Sequence, residues 1–331
     1  MATRGAPVRK ERRAPGAVAI EPFADEHLDA AASLLAVRQT RHRRVEPLLP
    51  ACYEVPEVAR AEIEALWTSD GASGTIAIRD GSVVGYLLGI RKDESVWGAN
   101  VWVEAGGHAV EEAETARDLY AAAAEHWVAE GRTRHYALVP ASDIDLMEAW
   151  FRLSFGQQHT HGIREVPPTR WPADTRAAEP RDIDALVELA PLINLHQRLS
   201  PVFGMSQEFD PGEVGSEIEK EIASGEIGNA VAEAGGRVVG TFVIVPVELS
   251  GMHSGPARPE HACYLGFAVV APDARGSGAG LALTEAVFAW AHEKGYRTIV
   301  TDWRVTNLLA SRFWPRRGFR PTFARLYRSI P

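Results

Sequence analysis

The sequence predicts an α+β protein made of two tandem copies of one fold, each a twisted, mixed and largely antiparallel sheet flanked by helices. Short segments recur in the same order along the 331 residues, roughly 155 residues apart. Glu-Ile-Glu stands at residues 62–64 and again at 217–219, and Val-Val-Gly stands at 83–85 and again at 238–240. Strand and helix patterns also alternate in the same order in both copies. An internal duplication accounts for both observations.

Each copy is predicted to contain a short strand, one or more helices, a hairpin, a further strand, a long helix, a strand, a short helix and a final strand. The hairpins are expected to turn at Asp80-Gly81 and Gly235-Gly236, dipeptides that accept the positive φ of a tight turn. The long helices are expected over residues 111–130 and 280–294.

Prolines between the copies interrupt regular structure and mark the boundary. We therefore expect a disordered basic tail at residues 1–16, a first domain at 17–166, a linker at 167–173 and a second domain at 174–331.

The charge balance disfavours nucleic acid as a partner. Lys and Arg total 35 against 44 for Asp and Glu, which gives a net charge of −9 and repels a phosphate backbone. The apolar stretches are shorter than the ~20 residues that span a bilayer, so no membrane partner is expected. Cys52 and Cys263 cannot build a disulfide framework and lack zinc-ligand spacing. A cytoplasmic location follows as an expectation, and the oligomeric state stays open.

A glycine-rich segment in the second copy predicts a phosphate site. A buried strand ends near Val270, Pro272 stops it, and residues 275–280 (Arg-Gly-Ser-Gly-Ala-Gly) open a helix. Glycines let a backbone approach a ligand closely, and a helix N-terminus presents unpaired N–H groups to an anion. The Gly-Lys-[Ser/Thr] ending of a P-loop is absent, and no parallel βαβ unit supports a dinucleotide-binding fold. The segment therefore suits a pyrophosphate.

Two motifs in the second copy resemble those of the GNAT superfamily of acyl-CoA-dependent N-acyltransferases. The first is Val270-Ala-Pro-Asp-Ala-Arg275-Gly-Ser-Gly-Ala-Gly280, and the second runs from Asn307 through Ala310 and Trp314 to Gly318-Phe319. The resemblance covers about residues 173–331, and the repeat extends it to the first copy. The two-domain arrangement is similar to that of tandem members of this superfamily.

The resemblance implies an acyl-CoA site with acetyl-CoA as co-substrate and no metal. The strand backbone at residues 268–270 would pair with pantetheine, one N–H would polarise the thioester carbonyl, and Asn307 would bond the arm or a nearby main chain. The implied cofactor-binding residues are Ala268, Val269, Val270, Arg275, Gly276, Ser277, Gly278, Ala279, Gly280, Leu281 and Asn307. A primary amine of a small molecule would attack directly, without a covalent enzyme intermediate. A non-catalytic acyl-CoA-binding regulator and a peptide or protein N-acetyltransferase remain alternatives.

The acid and base are open in the sequence. Many family members have a tyrosine that protonates the leaving thiolate where this chain has Trp314. Some have a glutamate that acts as the general base where it has Tyr264. An indole cannot sensibly give up its proton, and a phenol with a pKa near 10 is a poor base at neutral pH. Tyr264 could still order a water, and the nearby His261 has a more suitable pKa. Both are candidate catalytic residues, with core packing and strand initiation as the structural alternatives.

Other histidines are candidates for the acceptor pocket or for a metal. The resemblance places His196, Arg198 and Phe203 where the family shapes its acceptor pocket, although the repeat partner His42 makes an old structural role equally consistent. The alternating pair His159 and His161 is interpreted as a surface feature, because no third ligand accompanies it.

The first copy lacks the phosphate cradle. Glu104, Glu111 and Glu112 stand where the glycine loop would be, and their charge disfavours a pyrophosphate. We therefore expect a degenerate first domain and one acyl-CoA site per chain.

Overall fold

The two copies appear as two series of strands and helices of the same order in the computed structural model. The structure describes residues 16–93, 99–204 and 209–331. The predicted tail at residues 1–16 lies outside the described residues except for Gly16.

The first half contains seven strands and four helices within the described residues. They are β1 (Ala19–Pro22), α1 (Leu28–Val45), α2 (Pro56–Trp67), β2 (Ala72–Arg79), β3 (Ser82–Lys92), β4 (Asn100–Val103), β5 (His108–Val110), α3 (Thr115–Ala129), β6 (Arg134–Pro140), α4 (Ile144–Arg152) and β7 (Gly156–Glu165).

The second half repeats this order, with three helices before its hairpin instead of two and with one strand in place of β4 and β5. Its described elements are β8 (Thr175–Ala177), α5 (Ile183–Leu189), α6 (Pro191–Arg198), α7 (Pro211–Ser224), β9 (Gly228–Ala234), β10 (Arg237–Pro246), β11 (Ala262–Val270), α8 (Ala279–Glu293), β12 (Thr298–Arg304), α9 (Leu308–Arg316) and β13 (Arg320–Ser329).

Both predicted hairpins turn where the sequence indicated. Asp80 and Gly81 have φ values of 49° and 79°, and Gly235 and Gly236 have values of 61° and 76°. Two consecutive residues with positive φ form the turn whose twist matches that of the flanking strands. The turn residues therefore set the pairing of β2 with β3 and of β9 with β10.

The strands of both halves join into one mixed sheet through an exchange of their last strands. The order across the centre is β6-β13-β7-β12, so β13 of the second half pairs with β6 of the first. In return, β7 of the first half pairs with β12 of the second. The parallel pairs among the described strands are β4 with β6 and β11 with β12, which confirms a mixed, largely antiparallel sheet. The domain bounds 17–166 and 174–331 stay predictions. In the sheet itself, the strands of each half pair with the last strand of the other half.

A long helix packs on the sheet in each half. In α8, Leu283, Ala286, Val287 and Trp290 recur at helical spacing and are buried in one apolar cluster with strand residues such as Leu265. Helix α3 occupies the corresponding place in the first half. Helix α8 begins at Ala279, directly after the glycine loop, and packing on the sheet fixes the position of that loop.

Candidate active site

A cleft of about 690 Å³ lies in the second half, between two strands that diverge. Strands β11 and β12 pair in parallel only from Ala262 with Thr298 to Leu265 with Thr301. Beyond that point β11 continues to Val270 beside β10, whereas β12 continues to Arg304 beside β7. The cleft lies between the diverging ends and extends to the glycine loop.

Strand β11 presents backbone groups to this cleft. The amide of Ala271 donates to the carbonyl of Val239, and the pairing of β11 with β10 continues back through Thr241 with Val269. Because successive residues of a strand direct their backbone groups to opposite edges, those of Ala268 and Val270 point into the cleft, and those of Val269 point to β10. Of the three strand residues implied by the resemblance, two therefore offer main-chain groups to a ligand.

The glycine loop has the conformation that the sequence predicted. Gly276 and Gly278 have φ values of 83° and 99°, a region that glycine enters without strain. The backbone amides of Gly276, Gly278 and Gly280 have no backbone acceptor within the described parts of the chain. Arg275 is exposed at the entry to the loop. Free amides, a helix N-terminus and one guanidinium together make a site for an anion.

Asn307 begins helix α9 instead of standing free in the cleft. Its Oδ1 accepts from the amides of Leu309 and Ala310 at 3.2 and 3.3 Å, as an N-cap does. His196 Nε2 lies 3.3 Å from the same oxygen and brings helix α6 to the cleft wall. The resemblance implied that Asn307 bonds either pantetheine or a nearby main chain. The structure shows hydrogen bonds to the main chain, and a contact with pantetheine stays a prediction.

Trp314 belongs to the apolar core. Its ring packs against Phe313 and Phe319 at centroid distances of 4.9 and 5.5 Å, and the residue is 6% exposed. Its edge still borders the cleft. An indole in this position shapes the wall and cannot serve as a proton donor of the tyrosine type.

A polar cluster lies where β11 and β12 diverge. Tyr264 donates its hydroxyl to Asp302 Oδ1 at 2.7 Å, and His159 Nδ1 lies 2.8 Å from Asp302 Oδ2. All three residues line the cleft. Two strands of the second half and one strand of the first half contribute these side chains, so the strand exchange assembles the cluster.

The protonation states in the cluster follow from its surroundings. Burial and the neighbouring Asp302 raise the pKa of Tyr264 well above 10, so the phenol keeps its proton and acts as a donor. Burial opposes ionisation of Asp302, yet the hydrogen bond from His159 and nearby positive charge outweigh it and hold the pKa of the carboxyl well below its usual range. Burial lowers the pKa of His159 to about 4, although its hydrogen bond to Asp302 works in the opposite direction. At neutral pH a neutral histidine thus faces a carboxylate.

The structure separates the other sequence candidates. His261 is exposed at the beginning of β11, with a φ of 49°, and does not line the cleft. His196 lines the cleft, Arg198 does not, and Phe203 is 74% exposed. The roles of Tyr264 and His261 in catalysis stay predictions.

The interpretation of His159 and His161 as surface residues is wrong. They are 9% and 1% exposed, because β7 lies in the middle of the joined sheet. His161 packs beside His253 at a centroid distance of 4.7 Å. The available sequence signal was the alternation itself, since residues two apart on a strand share one face.

The corresponding gap in the first half is partly filled by the protein's own side chains, and a smaller cavity of about 410 Å³ remains beside Arg38. Strands β4 and β6 part after Val103 with Ala137. His108 Nε2 then lies 2.9 Å from the carbonyl oxygen of Leu138. The buried guanidinium of Arg38 donates to the carbonyls of His108 and Ala105. The carbonyl groups of Ala105, His108 and Leu138 are therefore bonded to side chains of the protein itself.

Within residues 16–93, 99–204 and 209–331, no group of three or more His, Cys, Asp or Glu side chains is arranged to hold a metal ion. None of the described helices combines the length and apolar character needed to cross a membrane.

Comparison with known proteins agrees with this geometry. Residues 192–319 match the model of the acetyltransferase (GNAT) family. A GCN5-related N-acetyltransferase from Sphaerobacter thermophilus shares the fold with a TM-score of 0.56 at 15% identity, over 94% of this chain and 95% of that chain. The glucosamine N-acetyltransferase region of a fungal multi-domain β-N-acetylglucosaminidase shares it with a TM-score of 0.52 at 16% identity, over 95% of this chain and 38% of that chain. No curated protein matches the sequence.

The family match covers the parted strands, the glycine loop and helix α9, the elements that build the cleft. The structural likeness extends the same fold to nearly the whole chain. The chain therefore contains a domain of the GNAT acetyltransferase family at residues 192–319.

Proposed function

We propose that the protein transfers an acetyl group from acetyl-CoA to a primary amine of a small molecule, in a complex that holds both substrates. The single observation that supports this most is the cleft where β11 leaves β12, with the backbone of Ala268 and Val270 on one side and the glycine loop at its end. The unpaired backbone groups of β11 suit the extended pantetheine arm of acetyl-CoA, which carries amide groups, and the glycine loop suits its pyrophosphate.

Different residues of this chain would bind the arm, the thioester and the pyrophosphate of acetyl-CoA. Ala268 and Val270 would pair with the arm through their backbone groups, and one of their N–H groups would polarise the thioester carbonyl as in an oxyanion hole. The amides of Gly276, Gly278 and Gly280 would hold the pyrophosphate, with Arg275 adding positive charge. When bound, acetyl-CoA supplies an activated acyl group, and the amine attacks it after losing a proton to a base.

The walls of the inner cleft favour a small acceptor. His159, Asp302 and Arg325 border it as side chains of the central strands, and Met252 adds an apolar surface. These groups line the cleft, so an acceptor must fit inside the cleft to reach the acyl group. The net charge of −9 attracts a cationic amine. The free cysteines Cys52 and Cys263 accord with action in the reducing cytoplasm.

A thiol-release assay with a panel of small amines, followed by mass spectrometry of the products, tests the proposal. We expect coenzyme A release only with an amine present, and a product heavier by one acetyl group. Arg275→Glu should weaken acetyl-CoA binding by charge repulsion. Arg170→Glu, the same charge change at an exposed residue that does not line the cleft, should leave binding unchanged.

Trp314 favours one alternative, a protein that binds acyl-CoA without turning it over. The residue that donates a proton in many relatives is here part of the core. Tight acetyl-CoA binding with no product from any amine would support this regulator and overturn the enzymatic proposal. Turnover of peptides but not of small amines would support a peptide acceptor instead.

A further inference from the structure

The strand exchange brings a histidine of the first half to the point where the strands of the cofactor cleft part. The last parallel pair is Leu265 with Thr301, and Asp302 is the next residue of β12. Strand β7 lies on the other side of β12, with His161 opposite Asp302 and His159 opposite Arg304. An acyl group at the inner end of the cleft would lie beside these residues.

Asp302 fixes the ring of His159. One carboxylate oxygen accepts from Tyr264, and the other accepts from His159 Nδ1. An ionised carboxylate can only accept, so the proton of the neutral imidazole resides on Nδ1. The lone pair is then on Nε2, the nitrogen that a general base uses.

His159 Nε2 is buried and has no hydrogen-bond partner among the described residues. A buried polar atom without a partner costs on the order of 1–3 kcal/mol, so its presence calls for an explanation. His161 and His253 also have unpartnered ring nitrogens, but only His159 of the three lines the cleft. A polar ligand in the cleft, or one bridging water, would complete its hydrogen bonding.

We infer that His159 is the general base that removes the proton from the acceptor amine, with Asp302 and Tyr264 as positioning residues. This inference rests on the proposed function. It assigns the role that the sequence left open, and it makes the first half a contributor to the active site.

An amine that arrives as the ammonium first loses one proton to solvent, which frees its lone pair. The neutral nitrogen then forms a bond to the thioester carbon, the carbon–sulfur bond breaks, and a second nitrogen proton passes to His159 Nε2, which later returns it to solvent. The thiolate leaves and takes a proton from solvent. Burial lowers the pKa of His159 to about 4, so the ring is neutral at pH 7 and can accept a proton, but it is a weaker base than a free imidazole. The imidazolium that forms faces the carboxylate of Asp302 at 2.8 Å, which stabilises it.

Other charged groups also act on His159. Asp302 and Arg304 face it from β12, Arg325 from β13, and His161 lies two residues away on its own strand. Arg325 and Arg304 lower the pKa of His159, whereas Asp302 raises it. Rates should therefore follow the protonation of the cluster as a unit.

Replacement of His159 by Gln and by Ala tests the inference. We expect kcat to fall by about 10²–10⁴-fold in both, the usual contribution of a general base. The dissociation constant of acetyl-CoA should stay within about twofold, because the pyrophosphate loop is intact. In His159→Ala, added imidazole should restore part of the rate, which a purely structural role would not allow. His159→Gln can still donate to Asp302, and it decides the matter if the alanine variant fails to fold.

His42→Leu is the matched control. It removes a buried histidine that also has unpartnered ring nitrogens, but one on helix α1 that does not line the cleft. Its kcat should remain within about twofold of the wild type. Asp302→Asn should lower kcat and shift the pH profile with little effect on KM, because it disturbs the tautomer of His159.

The outcomes separate this inference from the proposed function. If the wild type acetylates an amine and His159→Gln does so at an equal rate, the base assignment is wrong and the enzyme assignment stands. Loss of activity in His159→Ala without any imidazole rescue, together with weakened acetyl-CoA binding, would also overturn the inference. If the wild type binds acetyl-CoA but acetylates nothing, the proposed function itself fails.

Discussion

Arg320 of the last strand forms a bidentate ion pair with Glu46 at the end of helix α1, 274 residues earlier in the chain. Its Nε lies 2.7 Å from Oε2, and its Nη2 lies 3.0 Å from Oε1. The Glu46 side chain is only 4% exposed, whereas that of Arg320 is 44% exposed and also pairs with Glu165. The pair joins β13 of the second half to a helix of the first half.

Removal of Arg320 should destabilise the whole chain. Arg320→Ala leaves the carboxylate of Glu46 buried without its partner, which we expect to lower the free energy of unfolding by on the order of 1–3 kcal/mol. Urea denaturation followed by circular dichroism measures this change. Arg170→Ala, at an exposed arginine with no ion pair among the described residues, should change the value by less than about 0.5 kcal/mol. Equal stabilities of the two variants would contradict the structural importance of the pair.

The two halves should unfold together. Because β13 lies between β6 and β7, neither series of strands can lose its last strand without opening the other's sheet. Differential scanning calorimetry should therefore show one transition, with equal calorimetric and van't Hoff enthalpies. Two separated transitions would show that the exchanged strands do not couple the halves.

The free energy of unfolding should fall at mildly acidic pH. Burial lowers the pKa of several histidines far below the ~6.5 of an unfolded chain, so below that pH the unfolded state binds protons that the folded state cannot. The pKa falls to about 3 for His108 and to about 4 for His42, His135, His159 and His253.

Each of these histidines should remove about 1.4 kcal/mol of stability per pH unit between about pH 6.5 and its folded pKa. Their combined effect should exceed the opposing effect of buried Glu62, whose pKa is raised by burial. Denaturant titrations at pH 8.5, 7.5, 6.0 and 5.0 check the trend. We expect similar values at the two higher pH values and a steep fall below 6.5; a flat profile down to pH 5.0 would contradict the buried neutral histidines.

A methyl group at Gly278 should weaken acetyl-CoA binding. Gly278→Ala puts a Cβ on a residue with a φ of 99°, so the loop must change its conformation and redirect its amides. We expect the dissociation constant to rise about tenfold or more, as measured by isothermal titration calorimetry. Gly81→Ala introduces similar backbone strain at a hairpin that does not border the cleft. It should lower stability but leave the affinity unchanged, and equal affinities for both variants would argue against the loop.

The fold and the cofactor loop could be predicted because their signals are local. Asp80-Gly81 and Gly235-Gly236 specify tight turns through their own φ preferences, and the glycines at 276 and 278 do the same for the loop. Helix α8 follows from apolar spacing within a single segment. None of these features depends on distant parts of the chain.

The polar cluster could not be predicted because the strand exchange creates it. His159 meets Asp302 across 143 residues, and in an unexchanged sheet β7 would lie beside β6. The partly filled gap of the first half was missed for a similar reason. Arg38 stands on a helix, where an arginine normally points to solvent, and its carbonyl partners lie about 70 residues later.

The most direct test of the central claim is a titration of the wild-type chain with acetyl-CoA in a calorimeter. The cleft beside β11 has a volume of about 690 Å³, whereas Arg38 and His108 occupy part of the corresponding gap in the first half. We predict one binding site per chain, lost or strongly weakened in Arg275→Glu. Two comparable sites, or one site unaffected by Arg275→Glu, would contradict the assignment of acetyl-CoA to the second half.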